Sequence, residues 1–220
     1  MSAYHAPLAE IRFVLRELAG LEQISKLPGF EDATADTVDA ILEEAATFAT
    51  EVLDPLNAAG DRQGAQWQDG GKVATPAGFK EAYRTFAENG WNGLTKNPEH
   101  GGQGLPQLVA TAVEEMWHGA NMAFALCPLL TQGAIEALEL CGSDALKAMF
   151  LDKMVAGTWT GTMNLTEAQA GSDLAAVRTR AVPQADGTFR VYGQKIFITY
   201  GEQDYTDNIV HLVLARTPTA

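Results

Sequence analysis

The sequence is short of basic residues, and this shortage limits the partners that it can bind. Fifteen Lys and Arg stand against 28 Asp and Glu, which gives a formal net charge of −13. A nucleic-acid-binding domain needs a basic face and an anionic lipid surface attracts basic clusters, so the balance argues against both. A phosphorylated ligand is still compatible, because a few backbone N–H groups and one or two cations can hold a phosphate.

Cysteine and histidine are also scarce, with two of the first and four of the second. Cys127 and Cys141 both lie in apolar surroundings, so we expect two buried free thiols. A disulfide framework or a metal site would need more ligands at closer spacing. The histidines are scattered without a metal-ligand pattern, and we expect no metal.

A long apolar run is missing as well. The most apolar run, residues 122–130, is short and contains Pro128, so we expect no span across a bilayer. The N-terminal residues MSAYHAPLAEIRF lack the basic and apolar regions of a secretory signal. We therefore expect a cytoplasmic protein that does not act at a membrane.

The first 157 residues do contain a series of amphipathic helical patterns. Apolar residues recur at helical spacing over 8–21, 36–53, 79–89, 108–117, 120–140 and 143–155. We expect Pro55 to end the second helix and the glycine-rich residues 57–75 to form a long loop. The Thr75-Pro76 pair predicts the start of the third helix, with Thr75 as its N-cap.

After Gly157 the apolar period shortens to that of strands. Alternation over 177–182, an Asp186-Gly187 hairpin signal and apolar residues at 189–192, 195–199 and 209–215 predict four or five short strands. Helices followed by strands indicate two segregated domains. The predicted fold is therefore multi-domain: an all-α domain over 1–157, then an incomplete antiparallel β domain over 158–220.

The segment Thr158–Asp173 joins these two parts. It begins as an apolar strand and ends in a polar turn with Gly171 and Ser172. Exposed N–H groups and a serine hydroxyl at such a turn suit a planar polar ring or a phosphate. A purely structural turn is the alternative, because Gly supplies positive φ while Ser and Asp bond their own backbone.

Three motifs make the chain resemble the acyl-CoA dehydrogenase family of flavoproteins. They are the glycine-rich turn at 99–105 (EHGGQGL), the signature at 165–173 (LTEAQAGSD) and the segment at 193–201 (GQKIFITYG). YHAPLAEIRFVL and NIVHLVLAR further resemble the subgroup that acts on methylthio-propanoyl-CoA. The resemblance covers nearly the whole chain and implies that residues 158–220 are part of a barrel-like middle domain.

The resemblance implies FAD as the cofactor and assigns residues to it by position. On one side, Met163, Leu165 and Thr166 would face or hydrogen-bond the flavin ring. On the other side, Phe197, Ile198 and Thr199 would cover the ring. Gly171 and Ser172 would reach phosphate, and Ser172 also the pantetheine arm of an acyl-CoA substrate.

The family reaction removes an α-proton with a glutamate and passes a hydride from the β-carbon to the flavin, which yields a 2,3-enoyl-CoA. That glutamate lies in a C-terminal helical bundle, which we expect to be absent from this chain. We therefore expect no catalytic residue here and an isolated chain that is inactive alone. The resemblance also implies electron-transfer flavoprotein as electron acceptor and a homo-oligomer. Alternatives are a non-catalytic binding module and one subunit of a split flavoenzyme.

Several positions depart from the family pattern or invite another role. Ala168 replaces a common proline, Phe197 a common tryptophan and Tyr200 a common asparagine, while Asn164 is larger than usual. The resemblance gives Glu167 a structural rather than a catalytic role. Two arginines, Arg178 and Arg180, could help to hold CoA phosphates, but a solvated strand face is the expected alternative.

Overall fold

Helices precede the larger sheets in the computed structural model, which describes residues 3–218. The helices are α1 (Leu8–Phe13), α2 (Leu21–Ile24), α3 (Ala35–Thr47), α4 (Asp54–Gln63), α5 (Phe79–Glu88), α6 (Gln107–Cys141) and α7 (Asp144–Val155). The strands are β1 (Gln66–Gln68), β2 (Lys72–Ala74), β3 (Thr160–Asn164), β4 (Arg180–Pro183), β5 (Phe189–Tyr192) and β6 (Ile209–Val213). The predicted order of a helical part followed by small sheets is confirmed.

The helix predicted to stop at Pro55 instead continues to Gln63. Between α3 and α4 the backbone is π-helical over Phe48–Leu53, and Pro55 lies in the first turn of α4. A proline is tolerated there because its missing N–H and fixed φ do not disturb the first helical turn. The prediction of an end at Pro55 is therefore wrong.

The predicted long loop over 57–75 is also wrong, because α4 and a two-stranded hairpin occupy most of it. β1 and β2 pair antiparallel, with Trp67 opposite Val73. Thr75 does not cap the next helix: α5 begins at Phe79, and its N-cap is Gly78. The Thr75 hydroxyl donates to the Asp204 carboxylate at 2.7 Å and so connects the helical part to a distant segment.

An aromatic cluster forms the centre of the helical core. Phe48 and Phe86 each make edge-to-face or tilted contacts with each other, with Trp117 and with Phe124, with ring centroids 4.9–6.4 Å apart. Such pairs add about 0.5–1.5 kcal/mol each beyond the burial of their surface. Tyr205, from the chain beyond the helices, stacks on Tyr83 at 4.9 Å and extends this core.

The long helix α6 has a break at Asn121, where φ is −156°. The Asn121 side chain accepts from the Phe124 N–H at 3.1 Å and donates to the Leu53 carbonyl at 3.1 Å. It acts as an internal N-cap for the second half of α6. The sequence prediction of two helices, over 108–117 and 120–140, matches the two halves.

By length and composition alone, α6 could also cross a bilayer, although core helices of other proteins meet the same criterion. Its buried residues pack against α3, α4 and β3. The expectation that the chain does not act at a membrane stays a prediction.

Two small sheets follow α7. β4 and β5 form the antiparallel hairpin predicted from Asp186-Gly187, whereas β3 and β6 pair in parallel, with Gly161 opposite Val210. Backbone hydrogen bonds from Ala181 and Arg216 join the end of the β6 segment to β4. The expectation of antiparallel pairing therefore holds for one sheet and not for the other. The predicted division at residue 157 falls between α7 and β3. The existence of two separate domains stays a prediction, and the end of the second predicted domain, at residues 219 and 220, lies outside the described residues.

Candidate functional site

The site begins with β3, which lies directly on α6. The Gly161 N–H donates to the Thr131 hydroxyl at 3.0 Å. A Cβ on Gly161 would lie 2.6 Å from the Ala134 Cβ, so only glycine allows this close approach of strand and helix. Met163, two residues along the same face, reaches the α6 surface beside Gly133. The start of the signature is thus fixed on the helical core.

The polar turn after β3 is organised around the buried carboxylate of Glu167, which is 4% exposed. It accepts the backbone N–H groups of Arg178 at 2.8 Å and Thr179 at 2.9 Å, and the Gln169 amide at 2.5 Å. The Thr179 side chain, the Arg178 N–H and Lys195 hold the pKa of Glu167 far below its usual range. Glu167 therefore has the structural role expected of it and is a poor proton acceptor.

Lys195 connects this turn to the third motif, and the sequence reasoning did not single it out. Its ammonium donates to Glu167 at 3.0 Å and to the Leu165 carbonyl at 2.9 Å, and its side chain is 8% exposed. The only signal in the sequence was the lysine of the G-x-K pattern, which does not reveal its partner. The pair is buried and satisfied on both sides, as charges inside a protein require.

The segment 195–199 is not the strand that was predicted. Phe197 and Tyr200 both adopt left-handed backbone conformations, with φ of 56° and 51°. These conformations cost a bulky residue about 1–2 kcal/mol each and interrupt an extended chain. Other contacts hold the segment in place: the Ile196 N–H donates to the Thr166 carbonyl at 3.0 Å, and the Thr162 hydroxyl donates to the Thr199 carbonyl at 2.8 Å.

The structure brings two of the three predicted groups of cofactor residues together. Those from β3 are Met163, which is 38% exposed, and the half-buried Leu165 and Thr166. Those from the third motif are Phe197, which is 87% exposed, the half-buried Ile198 and the exposed Thr199. The hydrogen bonds between Thr166 and Ile196, and between Thr162 and Thr199, join these two groups.

Gly171 and Ser172, the third group, lie on an exposed turn. Within residues 3–218 they share no hydrogen bond with segment 197–199. A Cβ on Gly171 would meet nothing within 4 Å, so the turn is open to solvent. The structure therefore does not bring this pair against the other six residues, and its part in a common site stays a prediction.

The chemistry of these residues fits a flavin. Two apolar side chains are exposed, Met163 in part and Phe197 almost fully, and the N–H and hydroxyl of Thr166 have no hydrogen-bond partner within the described chain. An apolar wall with a few neutral donors is what a flat, polar-edged ring requires. The donors are neutral, which agrees with a ring rather than with a strongly charged ligand.

Two further cavities border this region without containing the predicted residues. One, of about 240 Å³, is bounded by Glu167, Thr179 and Gly193. The other, of about 550 Å³, is mostly apolar and is bounded by Phe79, Leu126 and Tyr200, among others. The predicted flavin residues instead form an open face.

Other predicted features have mixed outcomes. Cys127 is buried, and burial raises the pKa of its thiol, but Cys141 is exposed, so only one of two thiols is buried as predicted. Cys141 follows the last buried residue of α6, where the helix leaves the core. Arg178 and Arg180 are both exposed, and the Arg180 guanidinium lies 5.7 Å from the Tyr192 ring. Among residues 3–218 no group of His, Cys, Asp or Glu is arranged to hold a metal ion.

Comparison with protein families supports the resemblance. The model described as "Acyl-CoA dehydrogenase, N-terminal domain" matches residues 35–158, more than half of the chain.

Comparisons with individual proteins give the same result. The chain is 51% identical over 217 residues to a 3-methylmercaptopropionyl-CoA dehydrogenase of Ruegeria pomeroyi, covering 99% of this chain and 37% of that protein. A solved butyryl-CoA dehydrogenase from Megasphaera elsdenii is 26% identical with a TM-score of 0.71, over 84% of this chain and 45% of that one. A structure described as the FAD complex of PigA, 24% identical, shares the fold with a TM-score of 0.67, over 85% of this chain and 45% of that one. The chain thus spans less than half the length of these proteins.

Proposed function

This chain belongs to the acyl-CoA dehydrogenase family, and we propose that it forms one wall of the cofactor site of an FAD-dependent dehydrogenase. The reaction proposed for the whole enzyme is the oxidation of an acyl-CoA thioester to the 2,3-enoyl-CoA. The 51% identity to a 3-methylmercaptopropionyl-CoA dehydrogenase supports a short acyl-CoA as substrate.

One observation carries the proposal for the cofactor: β3 and segment 195–199 are held side by side, and both present free apolar groups. Met163 and Phe197 are exposed, although burial is the usual state of such residues, and Thr166 offers an N–H and a hydroxyl with no partner inside the described chain. A flavin ring seated here would cover the apolar groups and use the donors. FAD supplies the hydride acceptor when it is bound.

The residues of this chain act as binding and orienting groups in the proposal. Thr166 donates to the ring edge, Met163 and Leu165 form one wall, and Phe197, Ile198 and Thr199 form the other. Gly171 and Ser172 lie further along the turn, where they would contact phosphate and the pantetheine arm of the substrate. Glu167 is not the proton acceptor, because its oxygens accept buried hydrogen bonds and its pKa is held low. We propose that the catalytic carboxylate is not in this chain.

The remaining partners are part of the same proposal. Electron-transfer flavoprotein would reoxidise the flavin, the whole enzyme would form a homo-oligomer, and its location would be the cytoplasm. A split enzyme, with further parts of the active site on another chain, is the second candidate. The exposure of Phe197 and of Phe189, 54% in β5, favours it, because a partner could cover both. Co-purification of a partner chain that brings yellow colour would identify this case.

A flavin titration of the purified chain tests the cofactor proposal. We expect weak quenching of FAD fluorescence by the wild-type chain and at least tenfold weaker binding by Thr166→Val, which removes one donor without changing the side-chain volume. Thr47→Val, at an exposed helical position, serves as the control and should bind like the wild type. No quenching by the wild-type chain, or equal binding by Thr166→Val, would contradict the proposal.

The proposed absence of the proton acceptor has a separate test. We expect no acyl-CoA-dependent reduction of an electron-accepting dye by the purified chain, even with FAD in excess. Measurable turnover would show that a base is present in these 220 residues. Turnover would refute only the proposed absence of the proton acceptor, because the flavin titration tests the cofactor proposal separately.

A further inference from the structure

Tyr200 stands at the end of the segment that carries three of the proposed cofactor residues, and its side chain reaches away from them into the helical part. Its hydroxyl donates to the Ala123 carbonyl of α6 at 2.5 Å and lies 3.2 Å from the Tyr205 hydroxyl. Tyr205 is 7% exposed and stacks on Tyr83 in the core. Tyr200 thereby connects an exposed loop with the buried aromatic core.

The loop itself has few other attachments. At one end the Ile196 N–H bonds to Thr166, next to the buried Lys195–Glu167 pair, and near the other end the Thr199 carbonyl accepts from Thr162. Between these bonds lies Phe197, whose exposed ring has no packing that would favour its left-handed backbone. Unfavourable backbone conformations of this kind persist only where the surroundings impose them. The anchors at the two ends therefore determine the conformation at Phe197.

Tyr200 is suited to be the stronger of these anchors. Its own φ of 51° turns the chain sharply and directs its ring towards α6, where the ring lies 5.5 Å from that of Tyr205. Burial raises the pKa of Tyr200 to about 12, so its hydroxyl remains a donor at neutral pH. Thr199 and Tyr200 are adjacent, so the bond from the Thr162 hydroxyl to the Thr199 carbonyl and the bond from the Tyr200 hydroxyl to Ala123 hold neighbouring residues.

We propose that Tyr200 is a positioning residue, which fixes the backbone of residues 196–199 in the conformation that presents Phe197 and Thr199 to the cofactor. Tyr200 itself does not touch the cofactor in this proposal. It acts through the bond to the Ala123 carbonyl and the contact with Tyr205. The inference rests on the proposed function for its purpose, but the anchoring can be measured without any flavin.

Two backbone hydrogen bonds serve as reporters of the anchoring. The Ile196 N–H donates to Thr166 at 3.0 Å, and the Gly201 N–H donates to the Ile198 carbonyl at 3.2 Å. Leu214, whose N–H donates to Asn164 at 3.1 Å in the neighbouring strand segment, is the internal reference. Amide hydrogen exchange of the 220-residue chain is measured for the wild type, for Tyr200→Phe and for the control Tyr192→Phe, an exposed tyrosine of β5.

We expect the amides of Ile196 and Gly201 to exchange about tenfold faster in Tyr200→Phe, the effect of one lost hydrogen bond on local opening. The Leu214 amide should match the wild type, because opening of its strand segment leaves the Tyr200 contact intact, while the urea midpoint should fall by about 0.5 M, the equivalent of that one hydrogen bond. Tyr192→Phe should change none of these quantities. Unchanged rates at Ile196 and Gly201 would overturn the inference. A uniform increase that includes Leu214 would overturn it too, because Tyr200 would then be an ordinary core residue.

A second variant, Tyr200→Asn, tests the same inference if Tyr200→Phe does not fold. Tyr200→Asn suits the left-handed backbone but lacks the reach to Ala123, so it should show the same local acceleration. Wild-type rates in this variant would overturn the inference. The flavin titration of the wild type tests the proposed function separately. If the wild type binds no flavin but Tyr200→Phe still shows faster local exchange, the anchoring role of Tyr200 stands and only the proposed cofactor site is refuted.

Discussion

Replacing Gly161 by alanine tests the close contact between β3 and α6 that fixes the site. The new Cβ would lie 2.6 Å from the Ala134 Cβ and 2.7 Å from the Met154 methyl. The Met154 methyl ends a flexible side chain and can rotate away. The Ala134 Cβ cannot, because it is attached to the backbone of α6, so β3 must move outward by several tenths of an ångström.

That movement has two costs. Overpacking of a tight core typically destabilises by about 1–3 kcal/mol. The hydrogen bond from the Gly161 N–H to the Thr131 hydroxyl, 3.0 Å in the wild type, would lengthen and lose part of its roughly 1 kcal/mol. Gly→Ala also lowers the entropy of the unfolded chain, which offsets about 0.4–1 kcal/mol. The net expectation is a loss of about 2 kcal/mol.

Urea denaturation followed by tryptophan fluorescence measures this loss. With a slope of about 2–3 kcal/mol/M, the midpoint of Gly161→Ala should fall by about 0.7–1 M. Gly171→Ala is the matched control, because the same Cβ placed there meets nothing within 4 Å. Its midpoint should equal or slightly exceed that of the wild type. A Gly161→Ala midpoint at or above the wild-type value would refute the reasoning.

Two further predictions concern the core and the buried carboxylate. Phe124→Ala opens a cavity among buried aromatic rings and should lower the free energy of unfolding by about 3–5 kcal/mol. The control Met122→Ala replaces a side chain that is 59% exposed and should change the free energy of unfolding by less than about 0.5 kcal/mol. Similar values for the two variants would contradict the assigned core. The lowered pKa of Glu167 means that its contribution to stability is complete above the unfolded pKa near 4.5 and is lost as the pH falls towards its folded pKa. The urea midpoints of the wild type and of Glu167→Gln, measured at intervals of about one pH unit, should therefore converge as the pH falls from 5 to strongly acidic values. A constant difference between the two midpoints over that range would contradict this prediction.

The helical part of the fold was predictable because its signals are local. The apolar stripe of Phe79, Tyr83 and Phe86 recurs with the period of a helix, and all three side chains are buried on one face of α5. The Asp186-Gly187 pair likewise predicts the β4–β5 hairpin, because few residues tolerate the positive φ observed at Gly187. The prediction that the second helix ends at Pro55 was wrong, because the preceding turn is π-helical and a proline is acceptable where a new helical turn begins.

Segment 195–199 shows where local signals fail. Its residues KIFIT have strong strand propensity, yet the chain there is not a strand. Contacts with residues about 30 to 80 positions away determine its conformation: Lys195 with Glu167, Thr199 with Thr162, and Tyr200 with Ala123. Propensity describes a residue and its neighbours, so it cannot include such distant partners.

Motifs and hydrophobic periods are properties of the chain, so the family, the placement of the helices before β3–β6 and the residue types that suit a flavin could be predicted without the fold. Three features became visible only in the folded chain: the buried pair of Glu167 and Lys195, the parallel pairing of β3 and β6, and the contact of Tyr200 with α6. These features depend on which distant segments meet. The aromatic contacts become favourable only once these segments pack together, and the cost of burying the two charges is offset only when Glu167 and Lys195 meet.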